Sequence, residues 1–202
     1  MRSGAHRRHG RGASGSAIGH ASDGLRSGAM ADPLTRPSVQ RVRAALAELG
    51  ASGEPVALSD SARTAAQAAQ SLGVEVGQIA SSLVFCPVAA QGLDGRHERQ
   101  PGAKPLLVIT SGAHRVDVQK VADLLGVAHL ERATPDQVRD STGFAIGGVA
   151  PVGHPEPVPT LVDVDLARYE VVWAAAGHPR VVFPTSYSEL VRMTGGQAAE
   201  VA

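Results

Sequence analysis

Residues 142–153 read TGFAIGGVAPVG and form the most unusual stretch of this 202-residue chain. Four glycines and a proline fall within twelve residues, between a segment with helical spacing and a segment typical of a strand. Glycine allows close approach of another molecule to the backbone, and free N–H groups can bind an anion or a developing oxyanion. The stretch lacks the Lys-Ser/Thr ending of a P-loop and does not follow the dinucleotide-binding pattern. It predicts either an ordinary turn or a backbone-lined binding loop.

Helical and strand patterns alternate on both sides of this loop. Apolar spacing or capping boxes predict helices at Val39 to Leu49, Thr64 to Leu72, Val118 to Leu125, and from Thr134 and Ser186 onward. Short apolar runs predict strands at 56–58, 82–88, 106–109, 161–162, 171–173 and 181–183, and a polar loop covers 89–104. The intermingled order predicts one α/β domain with a mixed sheet flanked by helices.

Composition excludes several functional classes. The formal net charge is zero, which argues against a protein that coats DNA or other long nucleic acids, although a domain that grips only a tRNA end needs few phosphate contacts. No apolar stretch approaches the roughly 20 residues of a membrane span. The single cysteine, Cys86, lies in an apolar run and is expected to be buried, so a disulfide within the chain is excluded and a reducing cytoplasm is the expected location.

Residues 1–30 differ from residues 31–202, which we expect to form the domain. The first segment holds five arginines and one acid and has no apolar periodicity, so it is expected to be disordered. Two interpretations stay open: a basic arm that contacts nucleic acid, or a non-functional extension that precedes Met30.

The glycine-rich loop does not stand alone. Gly147 to Gly153 resembles the Gly-Gly-x-x-Pro-x-Gly signature of the YbaK and prolyl-tRNA-synthetase-associated family, which comprises freestanding aminoacyl-tRNA deacylases and an editing insertion of bacterial prolyl-tRNA synthetases. Gln78 to Phe85 resembles the family's Gln-Ile-x-Lys-Ser-Leu-x-Phe strand, and Thr160 to Asp163 its strand ending in aspartate. The similarity runs from about residue 38 to 195 in the family's order.

This resemblance implies a YbaK-like fold and hydrolysis of the ester in mischarged tRNA. The partner would be the 3′ end of aminoacyl-tRNA, and an aminoacyl-tRNA synthetase is a further partner that the family suggests. No metal and no organic cofactor is implied. The amino acid and the tRNA are not identified by the sequence.

The resemblance also assigns the candidate site. Backbone amides near Gly147 and Gly148 would stabilise the oxyanion, and Asp163 would lie in the same pocket, although a strand-end aspartate is equally suited to cap a following helix. The expected substrate-binding residues are Ser81, Ser82, His114, Arg115, Pro151, Gly153 and His154. His154 follows the loop and is either a proton shuttle or an ordinary surface histidine.

One departure concerns charge. Where the family commonly has lysine before Ser-Leu, this chain has Ser81. The family's lysine is thought to help hold the tRNA 3′ end, so another base substitutes, binding is weaker, or the substrate differs. The nearest basic residues after the next strand are His114 and Arg115, for which a solvated loop is the alternative interpretation.

Two rival functions stay open. The same fold without the lysine would suit a non-catalytic module that binds a tRNA 3′ end, a nucleotide or a protein. A small-molecule esterase using Ser81 or Ser82 would require a histidine within hydrogen-bond reach of the serine. A metal site is disfavoured, because the histidines show no ligand spacing.

We expect deletion of residues 1–30 to leave melting temperature and activity nearly unchanged, because their composition cannot bury apolar surface. Thermal melts and tRNA-binding titrations of the full and shortened chains check this. A large loss of tRNA affinity on deletion would establish the basic-arm interpretation instead.

Overall fold

The computed structural model describes residues 32–58, 64–88 and 103–202, so the predicted N-terminal segment and most of the predicted 89–104 loop lie outside the described residues. The α-helices in the described part are α1 Pro37–Glu48, α2 Ala65–Leu72, α3 Val118–Leu125, α4 Pro135–Thr142 and α5 Tyr187–Thr194. The strands there are β1 Val56–Ala57, β2 Ile79–Val88, β3 Leu106–Ser111, β4 His129–Arg132, β5 Thr160–Asp163, β6 Val172–His178, β7 Val181–Thr185 and β8 Gln197–Ala199.

Local capping signals place the helix ends. Asp117 accepts a hydrogen bond from the N–H of Lys120 at the start of α3, and Thr134 forms the predicted capping box of α4. The box predicted for α5 is only half present. Ser186 caps the helix, but the carboxylate of Glu189 turns away to the hydroxyl of Thr185 and the N–H of Ser52. A tertiary contact therefore replaces the local one.

The strands form one mixed sheet in the order β1-β7-β6-β2-β3-β5-β8, and β4 pairs with β2 beside this path. Parallel pairs join β2 to β6, β3 to β5 and β5 to β8, whereas the remaining pairs are antiparallel. Side chains of α1, α4 and α5 join the core on one sheet face, and those of α2 and α3 pack on the other. The predicted α/β class with a mixed sheet is confirmed.

Two short strands, β4 and β8, were absent from the sequence prediction. Each contains one buried residue in the described structure, Leu130 and Ala199, among exposed or half-buried neighbours. Such a pattern carries no period-2 signal. These strands exist because β2 and β5 offer them backbone hydrogen bonds.

The long strand β2 changes neighbours along one edge. Its pairing with β6 ends at Ala80, and its pairing with β4 begins at Phe85. Because backbone groups alternate sides along a strand, and the carbonyl of Val84 accepts from Ala133 on the β4 side, the N–H and C=O of Ser82 point into the gap between β6 and β4. The fold thereby leaves an unpaired stretch of strand edge inside the domain.

Candidate functional site

A cavity of about 270 Å³ lies at this gap and is called the β2 cavity below. It lies against β2, β6, α2 and the loop that begins at Ile146. Its main lining residues are Ala65, Ala68, Ile79, Ser81, Ser82, Leu83, Ile146, Gly147, Val149, Trp173, Ala175 and Val182. The predicted residues Ser81, Ser82 and Gly147 are thus brought together.

The wall of the β2 cavity carries no ionisable side chain among the described residues. Its polar groups include the hydroxyls of Ser81 and Ser82 and backbone amides, and the hydroxyl of Ser82 is buried without a hydrogen-bond partner in the described structure. None of the described histidines lines the cavity or contacts either serine, so the described residues do not supply the base that a serine esterase requires. The small-molecule esterase interpretation therefore has no support in the described part of the chain.

The glycine-rich loop covers the gap through close packing. Gly147 has φ +86°, a left-handed conformation that favours glycine, and it lines the cavity. Gly148 lies against the β6–β7 turn, where an added Cβ would be 2.8–2.9 Å from backbone atoms of His178. Glycine at both positions lets the loop reach the edge of β2.

The two predicted amide donors are not equivalent. The N–H of Gly148 donates to the carbonyl of Ala145 at 3.0 Å and is used within the turn. The N–H of Gly147 makes no hydrogen bond to the described residues. The expectation that Gly148 supplies a free donor is corrected accordingly. Gly147 thus lines the cavity with an N–H that has no described partner, and the N–H of Ser82 lies in the gap.

Pro151, Gly153 and His154 lie elsewhere. They line a separate depression of about 250 Å³ that includes Met193 and Thr194 of α5, and none of the three lines the β2 cavity. The signature loop therefore contributes its first half to the cavity and its second half to the packing on α1 and α5.

His154 is held in place by contacts within the protein. Its Nε2 lies 2.8 Å from the carbonyl oxygen of Ala150, and its ring packs edge-on against Phe144 at a centroid distance of 5.9 Å. Burial lowers the pKa of His154, the hydrogen bond to Ala150 opposes this, and the nearby Arg41 guanidinium lowers it further. A neutral imidazole that donates to a backbone carbonyl and stays outside the cavity favours a packing role over proton transfer.

Asp163 is buried at the end of β5. Its Oδ2 accepts from the hydroxyl of Thr110 at 3.2 Å and the N–H of Ser111 at 3.0 Å, and its Oδ1 accepts from the N–H of Asp165 at 3.1 Å. It caps the 3₁₀ helix Val164–Arg168, as one of the two sequence interpretations expected. Asp163 does not line the β2 cavity, so its catalytic role stays a prediction.

Asp163 is nevertheless linked to the cavity wall through one residue, Thr110. Thr110, which donates to its carboxylate, is the cross-strand partner of Ser81. Side chains at such positions share a face of the sheet. The carboxylate is therefore placed to hold β3 and β5 in position behind Ser81.

His114 and Arg115 do not line the β2 cavity either. The Nδ1 of His114 lies 2.9 Å from Asp163 Oδ2, and its Nε2 lies 3.1 Å from Asp165 Oδ2. Both ring nitrogens thus face carboxylates, which leaves none for a phosphate. Arg115 is exposed on the loop after β3. Its predicted contact with substrate stays untested.

Within the described residues, no group of three or more His, Cys, Asp or Glu side chains is placed to hold a metal ion. Cys86 is buried, as expected. None of the helices found in the described part of the chain is long and apolar enough to cross a membrane.

The sequence pattern gives no indication of Arg132, a cation that lies beside the first half of the glycine-rich loop. It lines a small depression that shares Ser82, Gly147 and Val149 with the β2 cavity. The signal was absent because Arg132 ends β4, a strand that the apolar pattern did not predict.

Comparison with known proteins assigns the family. The sequence profile of the aminoacyl-tRNA editing domain matches residues 59–193, which is most of the chain. The protein is a member of the aminoacyl-tRNA editing domain family. The match includes the cavity-forming strand β2 and the glycine-rich loop.

Relatives of this editing domain include both separate proteins and parts of larger ones. A crystal structure described as that of a candidate trans-editing enzyme for prolyl-tRNA synthetase is 44% identical, with a TM-score of 0.71, over 82% of this chain and 97% of that one. EbsC of Enterococcus faecalis, named as a candidate Cys-tRNA(Pro)/Cys-tRNA(Cys) deacylase, is 25% identical over 72% of this chain and 80% of its own length. The proline–tRNA ligase of Limosilactobacillus fermentum is 33% identical over 52% of this chain and 17% of the ligase.

We expect Gly148→Ala to destabilise the editing domain by about 1–3 kcal/mol, because the new methyl group would press on the His178 backbone. Emission of Trp173, the single tryptophan and a cavity-lining residue, should shift as the loop moves. Urea denaturation and fluorescence measure both effects. Gly126→Ala is the control, because an added Cβ there meets no atom within 4 Å. The positive φ of Gly126 makes this variant strained, but the emission of Trp173 should stay unchanged. An unshifted spectrum in Gly148→Ala would contradict the packing argument.

We expect Asp163→Asn to lower the free energy of unfolding by about 1–3 kcal/mol, because the amide cannot satisfy all the buried donors that face the carboxylate. The matched control is Asp165→Asn, which contacts the same imidazole from a more exposed position and should cost less. Chemical denaturation of both variants makes the comparison. Equal stability of Asp163→Asn and the unaltered protein would show that the buried network is not what Asp163 provides.

Proposed function

We propose that this protein is an aminoacyl-tRNA deacylase that edits mischarged tRNA in trans by hydrolysing the ester to the terminal ribose. The observation that carries the proposal is a small cavity, in a member of the editing family, whose described wall offers hydroxyls and unpaired amides but no ionisable side chain. An ester is reactive enough for hydrolysis by such a site, because positioning and oxyanion stabilisation supply most of what is needed.

The reaction requires little from side chains. Water attacks the ester carbonyl carbon, negative charge develops on the carbonyl oxygen, and the bond from that carbon to the ribose oxygen breaks while the ribose oxygen gains a proton. Free amino acid and tRNA result. The N–H groups of Gly147 and Ser82 are the donors that we propose for the developing oxyanion, and each such donor is typically worth roughly 10²–10³ in rate.

In this proposal, a group of the substrate rather than a side chain assists the attacking water. Because the described wall of the β2 cavity has no His, Asp, Glu or Lys, a vicinal ribose hydroxyl is the group available to position the attacking water. Asp163 and His114 support the strand ends behind Ser81 in this proposal rather than exchanging protons with substrate.

The size and polarity of the cavity also limit which amino acid side chain the ester can carry. Its wall includes alanines at 65, 68 and 175 and larger apolar side chains at Ile79 and Trp173, within about 270 Å³. A charged side chain would lose hydration there without gaining a counter-charge. We therefore propose small, uncharged amino acids as the ester class. The name of EbsC, which specifies Cys-tRNA, is consistent with that class.

A non-catalytic binding module is the second candidate function. It is favoured by Ser81, which stands where the family commonly has lysine. In that case the domain would bind a tRNA end and hydrolyse nothing, so a direct hydrolysis assay separates the two functions.

The test is single-turnover deacylation of a panel of mischarged tRNAs that differ in side-chain size and charge. We expect hydrolysis of small uncharged esters at least tenfold faster than of large or charged ones. Ala68→Leu, which fills part of the cavity, should reduce the rate at least tenfold, whereas Ala66→Leu on the exposed face of the same helix should leave it unchanged. Inactivity of the unaltered protein across the whole panel would favour the binding module.

A further inference from the structure

A second depression, of about 50 Å³, adjoins the β2 cavity. Ser82, Leu83, Ile146, Gly147 and Val149 line both, and Arg132 lines only the smaller one. The two spaces therefore meet at the gap in the edge of β2. A ligand with its ester at the gap could extend from one space into the other.

Arg132 is held at this position by β4 and by an aromatic ring. It is the cross-strand partner of Phe85, and its guanidinium carbon lies 5.9 Å from the centroid of that buried ring. A cation over an aromatic face is attracted to the ring, which restricts the side chain. Arg132 is exposed and makes no ion pair with the described residues, so its charge is available to a ligand.

His114, Arg41 and Arg115 are placed less well than Arg132 to bind a ligand that occupies the two spaces. Arg132 is the one charged residue among the described residues that line the two adjoining spaces. His114 faces two carboxylates, and Arg41 donates to the carbonyl of Gly143 and covers Phe144. Arg115 lines neither space.

We infer that Arg132 binds a backbone phosphate next to the terminal ribose of tRNA and so supplies, from β4, the positive charge that Ser81 lacks on β2. A guanidinium suits this task because it can engage phosphate oxygens bidentately. The inference rests on the proposed function, since it places the ester at the gap. It assigns Arg132 a binding and positioning role, without contact to the reacting carbonyl.

The experiment compares two substrates that share the ester but differ in phosphate. Mischarged tRNA carries the backbone phosphates, whereas 2′(3′)-O-aminoacyl adenosine carries none. Arg132→Gln should lower kcat/KM on the tRNA by roughly ten- to a hundredfold. It should leave hydrolysis of the aminoacyl adenosine unchanged. Arg132→Lys should recover part of the loss, because it keeps the charge but not the bidentate geometry.

Salt dependence gives a readout that a merely structural role would not alter. Removing one phosphate contact should reduce the slope of log affinity against log salt concentration by about 0.7 for a single strand. Arg139→Gln, an exposed arginine on α4 paired with Asp136, is the control and should change neither the slope nor the rate. Melting temperatures confirm that each variant is folded.

Two outcomes for Arg132→Gln would overturn the inference. They are an equal loss on both substrates and no loss on tRNA. Should the unaltered protein hydrolyse no ester, the proposed function fails, and binding of a 5′-phosphorylated CCA trinucleotide against adenosine, followed by Trp173 emission, still decides the question. Weaker binding of the trinucleotide alone by Arg132→Gln would then support the phosphate contact, and unchanged binding would refute it.

Discussion

The site depends on one constraint, which is that β2 cannot pair along its whole length on both edges. β6 leaves it at Ala80 and β4 joins it at Phe85, so the polar backbone of Ser82 faces a gap. Buried backbone groups need partners, and here the edge meets a cavity that a ligand can enter. The ends of β6 and β4 therefore determine where the edge of the sheet is open to the cavity.

The packing of the glycine-rich loop depends on the same gap in the edge of β2. It must approach the β2 edge while packing on the β6–β7 turn, and the clearance at Gly148 leaves no room for a Cβ. Its second half, with Pro151 and His154, is anchored away from the cavity. One signature thus combines a cavity-lining segment with a packing segment, which explains why only part of it lies at the candidate site.

Charge is arranged around the cavity rather than in it. The described wall has hydroxyls but no charged side chain, whereas the cation Arg132 lies at the adjoining depression. The cluster of Asp163, His114 and Asp165 secures the ends of β3 and β5. Under the proposed function, this separation places the ionic contact to tRNA outside the cavity and the ester in a space of low polarity, where hydrogen bonds from fixed amides are strongest.

Local signals in the sequence were sufficient for the helix starts at Asp117 and Thr134, the buried strands, the α/β class and the glycine-rich loop, because each depends on residues close together along the chain. The resemblance added the family, which the comparison confirmed, and a candidate site that stays a prediction. Two facts were decided only by the tertiary structure. The N–H of Gly148 donates a hydrogen bond within a turn, and Arg132, rather than His114 or Arg115, lies beside the loop. Those facts depend on which strands pair and where the pairing stops, and backbone pairing between residues dozens of positions apart leaves little trace in either sequence segment.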